Sequence, residues 1–296
     1  MDIAPVPITP YELNYNENGV NVVIKKAFEG NDADVNALLK DGAELADAVY
    51  GYAYGNHDEQ VNALLSIHPM LYSAASRGYA RAQNIAQVTK MSAIDALKTS
   101  LVFGFSQAGD EGQVRAALNA REGSKYLPTV VQGLASTGQS KLLLELIDGT
   151  RYYPEALRAA AKSGLNELVG QLLARLSIEL DALEASTDPT SLDVKRYLSY
   201  ALEGYAEGRH FTDAIRLIRL GANPMHGLNR LAVSGTIDPM DASQLLSVIT
   251  ENPIKIMMAE RMKTQFDVDV DELKPSVAID LRSSLFSEYS SATAKP

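Results

Sequence analysis

The chain of 296 residues contains no cysteine and no tryptophan. Without cysteine it can form no disulfide, no thiolate nucleophile and no cysteine metal site. A chain that needs no disulfide is suited to a reducing compartment, so we expect a cytoplasmic location. Aromatic residues make up only 7% of the chain. Packing must therefore depend on alanine, leucine and valine, which favours close contact between helices.

Long apolar runs are also missing. No stretch of 18 consecutive apolar residues occurs, so the sequence predicts no membrane insertion. Residues 1–7 contain an acid and prolines where a secretory signal needs a basic end and an apolar stretch. They predict no signal peptide.

Positive charge is scarce near the start of the chain. The net charge is −10, and residues 1–60 hold eleven acidic side chains against three lysines. Such a region repels phosphate groups, so we expect no nucleic-acid partner. It favours a protein partner with a basic surface. The alternative is an acidic end that only keeps the chain in solution.

What is present is a recurring glycine that divides one short apolar segment from another. The position seven residues before each glycine is always apolar, and the position three residues before it is small in six of the eight cases. This pattern predicts pairs of helices joined by a tight turn. The eight glycines are Gly30, Gly55, Gly78, Gly109, Gly138, Gly164, Gly208 and Gly235.

An apolar stripe follows most of these glycines. In the first unit it consists of Val35, Leu38 and Leu39, at five, eight and nine positions onward. This spacing is typical of the apolar face of an amphipathic helix. The stripe is shifted by one residue after Gly55 and Gly208. The units at Gly78 and Gly235 fit the pattern worst.

Three segments carry a resemblance to ankyrin repeats. Residues 26–43 resemble the second half of such a repeat, residues 158–164 its first helix and turn, and residues 218–224 its exit. The family's Thr-Pro-Leu-His start is absent, and most of the glycine spacings fall short of the ankyrin period of about 33. The outline is therefore closer to tetratricopeptide-type stacks. The resemblance implies an all-α, superhelical αα-hairpin solenoid of about eight degenerate repeats with C-terminal capping helices.

Breaks in the pattern predict the organisation of the chain. Residues 187–191 interrupt a helical stretch with Thr-Asp-Pro-Thr-Ser. We predict an irregular N-terminal arm over 1–20, a helical repeat domain over 21–176, a break with a linker helix over 177–194, further repeats and a cap over 195–287, and a flexible tail over 288–296.

Candidate chemistry is weak. Residues 133–140 resemble a phosphate-binding loop, but Gln139 stands where the lysine belongs. The four histidines lack metal-ligand spacing, and His57 and His210 occupy similar places after their glycines. We therefore predict no catalytic residue, no cofactor and no metal. The alternative is an enzyme with an unrecognised active site near the 177–194 break.

The first helix of an ankyrin-like pair lines a concave surface. Its outward positions in this register lie five, two and one residues before each glycine. Tyrosine and arginine carry much of the energy of protein interfaces. The predicted partner-binding residues are Tyr50, Tyr54, Arg77, Lys162, Glu207 and Arg230. The alternative for Tyr50 and Tyr54 is packing between adjacent units.

These features predict a non-enzymatic binding module that clasps a partner protein on its concave face and inhibits or redirects it. In a variant of the same hypothesis, the partner is a short linear peptide. Degenerate solenoids with a small, polar tail are similar to effectors secreted by intracellular bacterial pathogens such as Legionella, some of which regulate another effector by direct binding. That resemblance implies an adaptor or effector regulator that is translocated into the host-cell cytoplasm.

Overall fold

A computed structural model of the chain describes residues 20–185 and 191–233, and all regular elements within these ranges are helical. They comprise 16 α-helices and three short 3-10 helices, which confirms the all-α prediction. No helix among these residues is long and apolar enough to cross a membrane. Residues 1–19 of the predicted arm, the turn at Gly235, the capping helices and the tail lie outside the described residues. Val20, the last residue of the predicted arm, begins the first helix.

The chain forms two compact units, residues 1–177 and 178–296. The described helices of unit 1 are α1 Val20–Phe28, α2 Asp32–Lys40, α3 Leu45–Tyr54, α4 Asp58–Ile67, α5 Tyr72–Arg81, α6 Ile85–Ser92, α7 Lys98–Ala108, α8 Glu111–Asn119, α9 Leu127–Ser136, α10 Ser140–Ile147, α11 Tyr153–Lys162 and α12 Asn166–Arg175. The 3-10 helices Pro69–Leu71, Asp95–Leu97 and Gly123–Tyr126 precede α5, α7 and α9.

The described part of unit 2 contains α13 Leu180–Ala185, α14 Leu192–Glu207, α15 Phe211–Arg219 and α16 Pro224–Val233. Ser191 caps the N-terminus of α14 and accepts a hydrogen bond from the backbone N–H of Val194. Helix α14 packs against both α15 and α16. Helix α13 lies within the predicted 177–194 break, whose residues 186–190 are outside the described ranges.

A single residue in the left-handed conformation joins the two helices of each pair in unit 1. These residues are Gly30, Asn56, Gln83, Gly109, Gly138 and Gly164. They lie 26, 27, 26, 29 and 26 positions apart, so the pairs are more regular than the glycines suggest. At Gly55 the left-handed residue is its neighbour Asn56, and at Gly208 it is Arg209. This displacement explains the one-residue shift of the apolar stripe.

Gly78 is not the turn that the sequence predicts. It lies inside α5, and the chain turns five residues later at Gln83. A Cβ atom at residue 78 would lie 2.5 Å from the carbonyl oxygen of Tyr50 and 2.7 Å from Cβ of Ala53. Gly78 therefore serves the close approach of α5 to α3. Its role differs from that of a turn glycine although both are surrounded by small and apolar residues.

The first helices of successive pairs pack against one another in sequence, from α1 through α3, α5, α7 and α9 to α11. Each second helix packs against the first helix of its own pair. The position five residues before the left-handed residue is glycine in four consecutive pairs, at Gly51, Gly78, Gly104 and Gly133. The absent side chains allow the backbones of neighbouring first helices to meet.

Polar contacts join the second helices of the first two pairs to the pair that follows. Asp32 accepts hydrogen bonds from Tyr52 Oη at 2.8 Å and from Gln60 Nε2 at 3.2 Å. Asp58 accepts the equivalent bonds from Tyr79 Oη at 2.7 Å and Gln87 Nε2 at 2.5 Å. Burial, followed by the hydrogen bond to aspartate, raises the pKa of both tyrosines. These contacts repeat in register between the first three pairs.

Candidate functional site

The first helices of unit 1 carry two side chains on a shared face, six and two positions before the left-handed residue. Residues four apart lie above one another on an α-helix. We call this set the ladder. Its members are Ile24, Phe28, Tyr50, Tyr54, Arg77, Arg81, Phe103, Gln107, Gln132, Ser136, Arg158 and Lys162.

Aromatic and arginine side chains of the ladder contact one another from α1 to α5. The rings of Phe28 and Tyr54 have centroids 4.8 Å apart. The guanidinium carbon of Arg81 lies 4.6 Å from the centre of the Tyr54 ring. Arg81 is fully buried. A buried arginine over an aromatic face makes a cation–π contact, which gains strength because water is excluded.

Tyr50 is the centre of the ladder. Arg81 Nη1 donates a hydrogen bond of 2.6 Å to the Tyr50 hydroxyl group. The Tyr50 hydroxyl group in turn donates a long hydrogen bond of 3.5 Å to Gln107 Oε1. The guanidinium carbon of Arg77 lies 4.1 Å from the centre of the Tyr50 ring. One side chain therefore contacts residues of both α5 and α7.

Arg77 continues the ladder to the next helix. Its guanidinium carbon lies 5.7 Å from the centre of the Phe103 ring. Arg77 is only half-buried. Its Nε is nevertheless buried and donates no hydrogen bond to the residues that the structure describes. The guanidinium group thus lies near two aromatic rings, and its Nε–H has no acceptor among the described residues.

The far end of the ladder is polar and basic. Gln132 on α9 is exposed, and Arg158 and Lys162 on α11 are partly exposed. Of the twelve ladder residues, four are basic and none is acidic. The chain as a whole carries a net charge of −10. The ladder is therefore a local concentration of positive charge on an acidic protein.

The structure brings four of the six predicted residues onto or near this face. Tyr50, Tyr54, Arg77 and Lys162 belong to the ladder, but Tyr50 is 1% exposed and Tyr54 is 0% exposed. Both tyrosines thus adopt the packing alternative and are not outward-facing. Replacement of Tyr54 by alanine therefore cannot separate binding from folding, because removal of a buried aromatic side chain costs about 3–5 kcal/mol.

Glu207 and Arg230, the other two predicted residues, form an ion pair within unit 2. Arg230 Nε on α16 donates to Glu207 Oε2 on α14 at 2.7 Å. One helical turn away, His226 Nδ1 lies 2.6 Å from Glu203 Oε1. Glu203 and Glu207 occupy the positions six and two before the left-handed Arg209. The ladder positions of this pair are therefore acidic, and α16 supplies the opposing side chains.

Sequence reasoning misses Arg81, the most buried cation of the ladder. The register of the glycines leaves Arg81 out because it places the turn at Gly78, five residues too early. The sequence does contain a usable signal, because Arg77 and Arg81 are four residues apart, as are Tyr50 and Tyr54. Arg81 stands two positions before Gln83, just as Tyr54 stands two positions before Asn56. That pattern aligns the two helices correctly.

The structure also locates the weaker chemical motifs. Residues 133–136 of the phosphate-loop lookalike form the last turn of helix α9, where Gly133 packs against Cβ of Ser106. His57 Nε2 lies 2.9 Å from the carbonyl oxygen of Phe28. His57 and His210 each meet the tyrosine five residues earlier edge-on, with ring centroids 6.1 and 6.2 Å apart. Within the described residues no group of three acidic or histidine side chains could hold a metal ion.

Comparison of the chain with protein-family models, with characterised proteins and with solved structures gives no match. The ankyrin and tetratricopeptide resemblance therefore depends on the residues alone.

Proposed function

We propose that this protein is a non-enzymatic binding module, a solenoid of helix pairs about 26 residues in period whose first-helix face holds a partner protein and inhibits or redirects it. The observation that carries the proposal is the ladder itself. Phe28 and Arg77 keep part of their surface exposed and pack on the buried rings of Tyr54 and Tyr50. The partly exposed Phe103 lies beside Arg77, and the basic end of the ladder continues onto α11. Interfaces are enriched in these residue types because each combines a broad apolar area with polar hydrogens.

A contact that skips one helix supports a concave face. Tyr50 on α3 reaches Gln107 on α7, although α5 lies between these helices in the packing order. Side chains of alternate helices approach each other only if the row bends toward them. A concave surface of this kind suits a partner segment that lies across several first helices.

The charge of the ladder indicates an acidic contact segment. Arginine donates to carboxylates through a planar fork, and the partly exposed Arg77 lies beside the rings of Tyr50 and Phe103. Arg158 and Lys162 add two cations on α11. We therefore expect a carboxylate of the partner at α5, with aromatic or aliphatic side chains beside it.

The acidic start of the chain favours a second contact. Asp32, Asp34 and Asp58 begin second helices. A basic surface on the partner would meet these residues by a separate contact from the acidic segment on the ladder. The type of partner remains a prediction from the sequence. The same holds for the cytoplasmic location and for the relation to secreted effector regulators.

Site-specific photocrosslinking tests the proposed face. A benzophenone amino acid replaces Gln132, an exposed ladder residue on α9, and in a matched control it replaces Lys141, an exposed residue on the second helix α10. We expect covalent adducts to one protein from residue 132 and few from residue 141. Mass spectrometry of the adduct then identifies the partner and shows whether the linked peptide is acidic. Equal labelling from both positions contradicts the proposal.

The enzyme alternative near the 177–194 break stays a prediction. Residues 186–190 of that break lie outside the described residues. No specific contact favours it over the binding module.

A further inference from the structure

Helices α7 and α8 line an open pocket of about 400 Å³ together with the 3-10 helix Gly123–Tyr126. The pocket has a cause in the sequence. The position eight residues after the left-handed residue is leucine or methionine in five of the six pairs of unit 1, at Leu38, Leu64, Met91, Leu146 and Leu172. In the α7–α8 pair it is Ala117, which lines the pocket. The missing side-chain volume leaves a cavity that the other pairs fill.

A longer connection keeps this cavity open. The turns at Gly109 and Gly138 are 29 residues apart, whereas the other turns of unit 1 are 26 or 27 apart. The extra residues fall in the connection between α8 and α9, and Ala120, Arg121, Glu122, Lys125 and Tyr126 from this connection line the pocket.

The walls and the rim of the pocket differ in chemistry. Leu101, Val102 and Phe105 of α7 form an apolar wall with Ala117. Lys98, Arg121 and Lys125 lie at the rim with Glu122 as the only acid among the lining residues. Lys98 pairs with Asp95 at 2.6 Å, and Lys125 pairs with Glu122 at 2.8 Å.

Arg121 is the cation at this rim that a ligand can use. It is exposed, and in the part of the chain that the structure describes it forms no ion pair. A pocket of this size suits a small molecule, since such sites combine an apolar wall with few polar groups that fix orientation.

From these observations we propose that the pocket binds a small amphipathic carboxylate, with its hydrocarbon part between α7 and α8 and its carboxylate on Arg121. The inference is independent of the ladder, because none of the lining residues belongs to it. A neutral ligand of the same length loses the charge-assisted hydrogen bonds to arginine, and a cationic one is repelled by Arg121.

The absence of tryptophan allows a sharp test. Tyr126→Trp places a single fluorophore at the rim, and Tyr72→Trp places one at the start of α5 as a matched control. Each is titrated with decanoate, decanol and decyltrimethylammonium below their micelle concentrations, and isothermal calorimetry repeats the titrations on the unaltered chain. We expect saturable binding of decanoate, about tenfold tighter than decanol. The rim fluorophore and calorimetry should both report it, and the control fluorophore on α5 should not.

Two variants separate the charge from the cavity. Arg121→Gln should weaken decanoate about tenfold and leave decanol unchanged, whereas Arg115→Gln on α8, outside the pocket, should change neither. Ala117→Leu supplies the side chain found in most other pairs and should abolish binding without loss of stability. Equal affinity for the three probes, binding that survives Ala117→Leu, or no binding by either method overturns the proposal.

Discussion

Replacement of Gly78 by alanine tests how the first helices are packed. Gly78 lies within α5, where a Cβ atom would be 2.5 Å from the Tyr50 carbonyl oxygen, 2.7 Å from Cβ of Ala53 and 3.0 Å from the Tyr54 backbone nitrogen. Two of these atoms are backbone atoms, so no side-chain rotation relieves the overlap. The helices must move apart.

The magnitude follows from two opposing effects. Overpacking of a close contact costs about 1–3 kcal/mol. Alanine is favoured over glycine inside a helix by about 1 kcal/mol. The net result for Gly78→Ala is a loss of about 0–2 kcal/mol. Gly170 on α12 is the matched control, because a Cβ atom there meets nothing within 4 Å. Gly170→Ala should therefore gain about 1 kcal/mol.

Thermal and urea unfolding, followed by circular dichroism, measure both variants against the unaltered chain. We expect Gly78→Ala to lower the unfolding temperature or leave it unchanged, and Gly170→Ala to raise it by about 2–4 °C. The difference between the two variants should be about 1–3 kcal/mol. If Gly78→Ala stabilises the protein as much as Gly170→Ala, α5 does not meet α3 at backbone distance and the proposed packing is wrong.

Three further predictions concern buried and turn residues. Gln83→Gly should stabilise the protein by about 1 kcal/mol in urea unfolding, because a non-glycine residue there holds φ at 55°; a loss of stability would contradict the corrected position of the turn. Tyr54→Ala should cost about 3–5 kcal/mol in the same assay, since Tyr54 is fully buried. Tyr54→Phe should cost far less, and similar losses for the two variants would contradict the packing role of the ring. The third concerns pH: the raised pKa values of Tyr52 and Tyr79 mean that the unfolded chain releases these protons first, above about pH 10. Their contribution to stability is constant below that pH and falls above it. Tyr52→Phe with Tyr79→Phe should flatten the decline between about pH 10 and 11, and an unchanged slope would refute the assignment.

The sequence predicts the helix pairs of unit 1 because the apolar stripes of their second helices are retained although the repeats are degenerate. Val35, Val61, Val114 and Val169 recur on second helices and are buried in the structure. The prediction of a turn at Gly78 is wrong for a physical reason. A glycine at a close contact between helices and a glycine in a left-handed turn are both surrounded by small and apolar residues. Only geometry distinguishes them, since Gln83 carries no sequence signal for a positive φ.

The candidate site is harder to predict than the fold. Burial of Tyr50 and Tyr54 depends on cation–π and hydrogen-bond contacts with Arg77 and Arg81, which lie 27 residues further along. When one turn is placed five residues too early, α3 and α5 are misaligned, and the sequence no longer indicates that these side chains meet. The pocket beside Ala117 is hidden for the same reason, because the small residue is conspicuous only when the pairs are aligned by their left-handed residues.

The affinity of the crosslinked partner for charge-reversed variants tests the central claim most directly. Arg158→Glu with Lys162→Glu inverts the basic end of the ladder, and Lys90→Glu with Lys141→Glu makes the same change in net charge on exposed residues of second helices. Calorimetry with the purified partner should show affinity reduced by about tenfold or more for the ladder variant and little change for the control. Equal weakening by both variants, or no weakening by the first, would contradict a partner held on the first-helix face.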